Sequence, residues 1–354
     1  MAQINKPSDY FNTILYTGNG GTASRTGVGF EPSLVWVKSR SNTDNHNWID
    51  QVRGGDRVIV SNSTDNQEPS TNNKITSFDS DGFSTGDHTP INRNGGTHAA
   101  WCWKANGTGA ANSNGSISAT VSAETTSGFS IVKYNGTGSA ATVGHGLGVA
   151  PKFIIVKNLS DDGTNWFCYH SGIASDAETD YILLNATAAK VDGTYWNDTA
   201  PTSSVFSIGT QNDVNGSGDQ IIAYCFAEKK GFSKFGSYTG NGNADGTFIY
   251  TGFKPALITT KQSASTGAWL IYDSKRNPFN LTDKKLLPNE NGAENASTSP
   301  SGVTASTNNI DIVSNGFKQR TTQGYNNANG ETYIYMAFAE EPIVGSNNIP
   351  ATAR

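Results

Sequence analysis

Five histidines (His46, His88, His98, His145, His170), three cysteines (Cys102, Cys168, Cys225) and 30 acidic residues are the groups in this 354-residue chain with the greatest chemical potential. Zinc and thiol redox sites need cysteines at short fixed spacing, and no C-x-x-C is present. The histidines show no metal-ligand spacing either. Gly144-His145-Gly146-Leu147-Gly148 resembles a glycine loop of the kind that forms an oxyanion hole, but no nucleophile elbow accompanies it. It reads as a flexible loop ahead of the strand at Pro151. Asp79-Ser80-Asp81-Gly82 opens like a calcium loop, lacks the remaining oxygen ligands, and reads as a hairpin turn. Glycoside hydrolysis needs two carboxylates about 5–9.5 Å apart, and no acid cluster on one strand marks such a pair. These residues predict no catalytic group, no metal and no cofactor.

The elements that would hold such residues are organised by an internal repeat. Three segments open on Tyr16-Thr17-Gly18-Asn19-Gly20, Tyr134-Asn135-Gly136-Thr137-Gly138 and Tyr238-Thr239-Gly240-Asn241-Gly242. Each reaches a proline and then a lysine: Pro32 and Lys38, Pro151 and Lys157, Pro255 and Lys261. A tryptophan follows, at Trp48, Trp166 and Trp269, then a phenylalanine, at Phe83, Phe206 and Phe317, and then a closing aromatic, at Trp103, Phe226 and Phe338. A period above 100 residues suits an independently cored unit and exceeds a solenoid repeat of about 20–50 residues. Within each unit the apolar runs are short, β-branched and aromatic, and bounded by turn residues. The closing runs 99–103 and 221–226 are apolar on both faces, which predicts central strands covered on both sides.

The expected fold is therefore all-β, with three tandem antiparallel β-sandwich units of jelly-roll or concanavalin-like type. The boundaries follow composition: repeat 1 over 12–105, a Gly/Ser/Asn/Thr-rich linker over 106–127 in which Ile117 to Val121 could add a strand, repeat 2 over 128–230, repeat 3 over 231–342, and a tail over 343–354. The linker is expected to let units one and two flex. The closing and opening motifs of units two and three nearly abut, which holds those two units in a fixed relation.

Features common to all three units read as scaffold, because three copies do not need three identical active sites. Trp48, Trp166, Trp269, Phe83, Phe206 and Phe317 are the expected repeat core, and Cys102 and Cys225 are matched small hydrophobes. The matched lysines read as solvated heads on apolar stems. Ligand binding is expected where the units diverge, in the loops 41–47, 186–200 and 320–329. There Tyr195, Trp196 and Tyr325 are candidates to stack on a sugar face, with local loop packing as the plainer alternative. A net charge of −5 lacks the basic footprint of a nucleic-acid binder. No apolar run approaches a membrane span, and residues 1–10 lack a signal-peptide pattern.

The strings Ile4-Asn5-Lys6-Pro7-Ser8-Asp9-Tyr10-Phe11, Ser77-Phe78-Asp79-Ser80-Asp81-Gly82-Phe83 and Ala100-Trp101-Cys102-Trp103-Lys104-Ala105 resemble those of bacteriophage structural proteins common in marine phages. Residues 144–151, 224–228, 236–242 and 335–340 are similar to the same group. The resemblance spans nearly the whole chain and implies a virion protein assembled in a bacterial cytoplasm, without carrying over any catalytic residue. Reduced cysteines fit that compartment. The leading expectation is a non-enzymatic tail-fibre or other exterior appendage protein. It would contact other virion proteins and a host-surface glycan, as a homo-oligomer around a symmetry axis. The alternatives are a capsid decoration or head-fibre protein that cements the shell, and a surface-polysaccharide depolymerase.

Overall fold

Strand-forming runs between glycine turns make the chain all-β, with helix confined to single turns. The computed structural model describes residues 3–70, 74–295, 307–345 and 350–352. Three large antiparallel sheets share the same central order: opening, closing, proline and return strand. The opening strands are Phe11–Thr17, Phe129–Asn135 and Ser233–Thr239, and the closing strands are Thr97–Trp103, Gln220–Phe226 and Thr332–Pro342. The proline strands, Leu34–Ser39, Phe153–Asn158 and Phe253–Gln262, pair with the return strands Asn47–Asp50, Trp166–His170 and Leu270–Asp273.

Smaller sheets lie over the outer face of each large one: Ala23–Thr26 with Gly82–Thr85 and Ile75–Asp79, Ala141–Gly144 with Val205–Ile208, and Phe248–Tyr250 with Gly316–Gln319 and Ile310–Val313. Phe83, Phe206 and Phe317 sit in these sheets, fully buried. Each meets its opening tyrosine edge-on, with ring centroids 6.4, 6.2 and 6.2 Å apart for Tyr16, Tyr134 and Tyr238. Both hairpin turns foreseen at Asp81-Gly82 and Asn315-Gly316 form between paired strands.

The opening Tyr-x-Gly-x-Gly motif is a buckle. The tyrosine hydroxyls donate to the carbonyls of Ile91, Val214 and Asn326, at 2.6, 2.7 and 2.8 Å. Next to these lie Asn92, Asn215 and Asn327, each fully buried, whose Oδ1 accepts from the backbone N–H of Asn19, Thr137 or Asn241. Gly18, Gly136 and Gly240 are required for space, because a Cβ there would stand 2.2–2.3 Å from a carbonyl oxygen.

The inner faces of the three large sheets turn toward one another. Trp103, Phe226 and Phe338 form a triangle, with centroid separations of 6.3, 5.6 and 5.9 Å. One continuous hydrophobic core joins Phe11, Trp36 and Trp101 of the first unit, Phe153 and Tyr224 of the second, and Phe235, Trp269 and Met336 of the third.

Two expectations change. Residues 106–127 are not a linker: Ala110–Asn112 and Ala119–Glu124 extend the second large sheet to eight strands. Ala119 and Ser122 are buried where this strand meets its neighbours, whereas Ala110, Ala111 and Thr120 are exposed, so pairing rather than burial orders the segment. Units one and two are correspondingly packed together, with Trp48 and Trp166 centroids 5.5 Å apart. Part of the expected tail, 346–349 and 353–354, lies outside the described residues.

Because the three inner faces form one core, unfolding should be a single transition rather than three. Phe226→Ala should lower stability by about 3–5 kcal/mol in chemical denaturation, and separately melting units in the wild type would contradict the shared core.

Candidate functional site

Asp50, Asp273 and His170 lie at the junctions between units, and their arrangement is cyclic. Tyr224 of the second unit donates its hydroxyl to Asp50 of the first at 2.8 Å. Trp101 of the first donates its indole N–H to Asp273 of the third at 3.1 Å. In the third pairing, His170 of the second unit lies 3.1 Å from the Tyr335 carbonyl of the third. Register places Asp50, Asp273 and His170 at one position, opposite Leu34, Leu257 and Phe153.

The two aspartates each hold a buried arginine three residues on, Arg53 and Arg276. Burial works against the Arg53 charge, but Asp50 and Tyr224 outweigh it, so its pKa is raised. Arg276 is raised in the same way by Asp273 and Glu294 after the cost of burial. Glu294 also pairs with Arg40 at 2.8 Å and so ties the third unit to the first. These carboxylates are neutralised by arginines rather than placed as a catalytic pair.

A second ring uses backbone carbonyls. The indole N–H of Trp166 donates to Val60 of the first unit at 3.0 Å, and that of Trp269 to Leu183 of the second at 2.8 Å. The cross-strand partners of these tryptophans are the matched lysines, Lys157 directly and Lys261 by continuation of the register. In the first unit the same place, opposite Lys38, is taken by His46 and not by Trp48, which pairs with Trp36. Trp48 is buried in the shared core all the same, as are Trp166 and Trp269. Burial holds His46 well below the ordinary histidine range, with Lys38 and Arg276 adding to the effect. Beside this ring, Asn62, Asn185 and Asn289 accept from the backbone N–H of His46, Trp166 and Trp269 at 2.8, 3.0 and 2.9 Å. These asparagines line an opening of about 490 Å³ where the three units meet.

The matched lysines are not solvated: Lys38, Lys157 and Lys261 are fully buried. Lys157 donates to the Thr64 carbonyl of the first unit at 3.2 Å, and Lys261 to Thr187 and Ala188 of the second at 3.2 and 2.8 Å. Lys38 instead donates to Ser39 and Asn42 of its own unit. Loop carbonyls taken out of water at a junction need donors, and a flexible ammonium supplies several. Burial pulls Lys157 down to about 8, and Lys38 and Lys261 to about 7.

The loop candidates for sugar stacking occupy other roles. Trp196 is buried, with its indole N–H on the Asp180 carbonyl at 2.9 Å, because the loop folds back over the return strand. Tyr195 stacks on Phe167 with centroids 4.0 Å apart. Tyr325 is half-buried against the outer core of the third unit. His145 is buried and fastened to Leu147 and Thr202, so its loop is anchored rather than flexible. Gly82-Phe83-Ser84-Thr85-Gly86 spells a nucleophile-elbow string, but Ser84 lies on a strand and donates its hydroxyl to Asp79 at 2.8 Å. The three cysteines are free and buried, and burial pushes their thiols up. Among the described residues no group of three His, Cys, Asp or Glu side chains is placed to hold a metal ion, and no helix is long and apolar enough to cross a membrane.

The strand order, buckles and junction rings run from the first unit through the third. A family model described as a domain of unknown function, DUF7483, covers the same extent, matching residues 6–342. The chain belongs to this family. No curated protein matches it. The match takes in all three large sheets.

A signal for the asparagines was present in the sequence. Asn92, Asn215 and Asn327 each stand 11 residues before the closing aromatic and three before a glycine. Asn62, Asn185 and Asn289 have no common flanking string, so only the register aligns them.

Two outcomes follow. Lys261 has a folded pKa near 7 against an ordinary 10.5, so between those values the unfolded chain binds more protons there and stability rises with pH. Below about pH 7 the full cost of burying the charge is present. Lys261→Met should therefore remove up to about 1.4 kcal/mol per pH unit from the slope of stability between pH 7 and 10; equal slopes would overturn this. Trp196→Ala should lower stability by about 3–5 kcal/mol, measurable as a fall in melting temperature, whereas a surface platform would leave it unchanged.

Proposed function

We propose that this DUF7483 protein is a non-enzymatic structural protein of a bacteriophage virion. It sits on the tail or another exterior appendage and attaches to host-surface glycan. In this reading the chain is three tandem copies of one β-sandwich, over 12–105, 106–230 and 231–342, closed about a common pseudo-threefold axis. Its partners are other virion proteins.

The observation that carries the reading is the use made of the repeated chemical groups. The motif lysines, the Asp50 and Asp273 ion pairs and the aromatic N–H and O–H donors are engaged with backbone and side chains of the molecule itself. Such a body has its polar groups committed to rigidity, and recognition is left to surfaces on which the copies differ. The sequence resemblance to phage structural proteins supplies the setting.

Antibody or gold labelling of the protein in images of the intact particle tests this. Label at the tail or an exterior appendage is the expected result. Copy number that follows capsid symmetry would move the protein to the shell as a decoration protein, and absence from the particle would overturn the virion reading. Release of reducing ends from host polysaccharide by the pure protein would overturn its non-enzymatic part.

A further inference from the structure

A cleft of about 590 Å³ opens between the second and third units. Its lining holds four lysines, Lys152, Lys229, Lys230 and Lys234, against one glutamate, Glu228. Lys234 is paired with Glu228 at 2.8 Å, and Lys229 feels Glu124. Lys152 and Lys230 are exposed and have no ion-pair partner among the described residues. On the wall contributed by the third unit stands Tyr250, 57% exposed, on a strand whose intervening Ile249 is buried. A protein of net charge −5 thus gathers cations around an exposed aromatic ring at one place.

Comparison among the units shows that the fold does not require these residues. The strand register sets Lys152 level with Ser33 and Ala256. Four residues beyond the closing aromatic stand Gly107, Lys230 and Pro342. In the outer sheets, Thr26 and Gly144 hold the position of Tyr250. At each of these positions the two units that lack the side chain close the same buckle and join the same core without it. An exposed aromatic and two unpaired ammonium groups converging on one concavity have the composition of a binding site rather than of a support.

We propose that this cleft binds an anionic glycan, with Tyr250 against the apolar face of a sugar ring and Lys152 and Lys230 on its carboxylate or other acidic groups. Lysine ammonium groups are point charges that accept several anion geometries, and charge-assisted bonds to them are about twice as strong as neutral ones. A neutral glycan would leave both ammonium groups without the partner that favours occupancy. The inference rests on the attachment reading above and names the place and the chemical class of what is attached.

The test is isothermal titration of the full chain with oligogalacturonate, a heparin oligosaccharide and maltohexaose at low salt. The expected result is binding of at least one anionic oligomer, with maltohexaose at least tenfold weaker. The double variant Lys152→Gln with Lys230→Gln, and Tyr250→Ala separately, should each weaken that binding at least tenfold without changing the melting temperature. Lys133→Gln, outside the cleft, should leave it unchanged. The two anions distinguish a carboxylate from a sulfate preference. Binding of neither anion, equal binding of maltohexaose, unaltered binding in the cleft variants, or an equal loss in Lys133→Gln would each overturn the proposal. Those results concern the pure protein, whereas absence from the particle would overturn the virion reading alone, so the two failures are distinguishable.

Discussion

The closing strand is apolar on both faces, and everything else follows from how it is covered. On the outer side each unit supplies its own lid, the small sheet carrying Phe83, Phe206 or Phe317. On the inner side no unit has such a sheet, and Trp103, Phe226 and Phe338 are covered by one another together with Phe11, Phe129 and Phe232. Aromatic pairs at such separations add about 0.5–1.5 kcal/mol each beyond the area they bury. The covalent connection of the three units makes this association intramolecular, so the inner faces meet without the entropic cost of gathering three separate chains.

Bringing the inner faces together takes polar groups out of water along with the aromatics, and the junction rings answer that cost. An unpaired buried polar group loses about 1–3 kcal/mol, and an unpaired buried charge more. Val60 and Leu183 carbonyls find indole donors, Thr64 and Thr187 find ammonium groups, and Asp50 and Asp273 find arginines. The second unit varies the scheme with His170 and Ile173 where the others have an Asp–Arg pair. One junction thereby does without a buried charge pair, consistent with such pairs serving geometry more than net stability.

Repetition also separates architecture from recognition within a single chain. A side chain present in all three units is accountable to the core, the buckle or a ring; one present in a single unit is not. Trp196 shows why loop divergence is a weaker guide than register: its loop differs from its counterparts, yet it is packed over the return strand. Lys152 and Tyr250 are singular at positions that the strand register matches among the three units, so the shared fold does not call for them.

Local pattern in the sequence determined the threefold repeat, the strands, the hairpin turns at Asp81-Gly82 and Asn315-Gly316, and the aromatic set of Phe83, Phe206 and Phe317. Each of these is written in composition and spacing along the chain. Which face covers which depends on residues far apart in sequence, and the tertiary structure alone decided it. Lysines at strand ends look solvated until another unit lies over them, and a run of Gly, Ala, Ser and Thr looks like a tether until it pairs. The tryptophan set shows the limit most sharply. Counting residues from the opening tyrosine aligns Trp48 with Trp166 and Trp269, whereas pairing across the sheet aligns His46 with them. A strand repeats its faces every two residues, so a slip of two leaves the same face inward and changes nothing that a hydrophobic pattern can register.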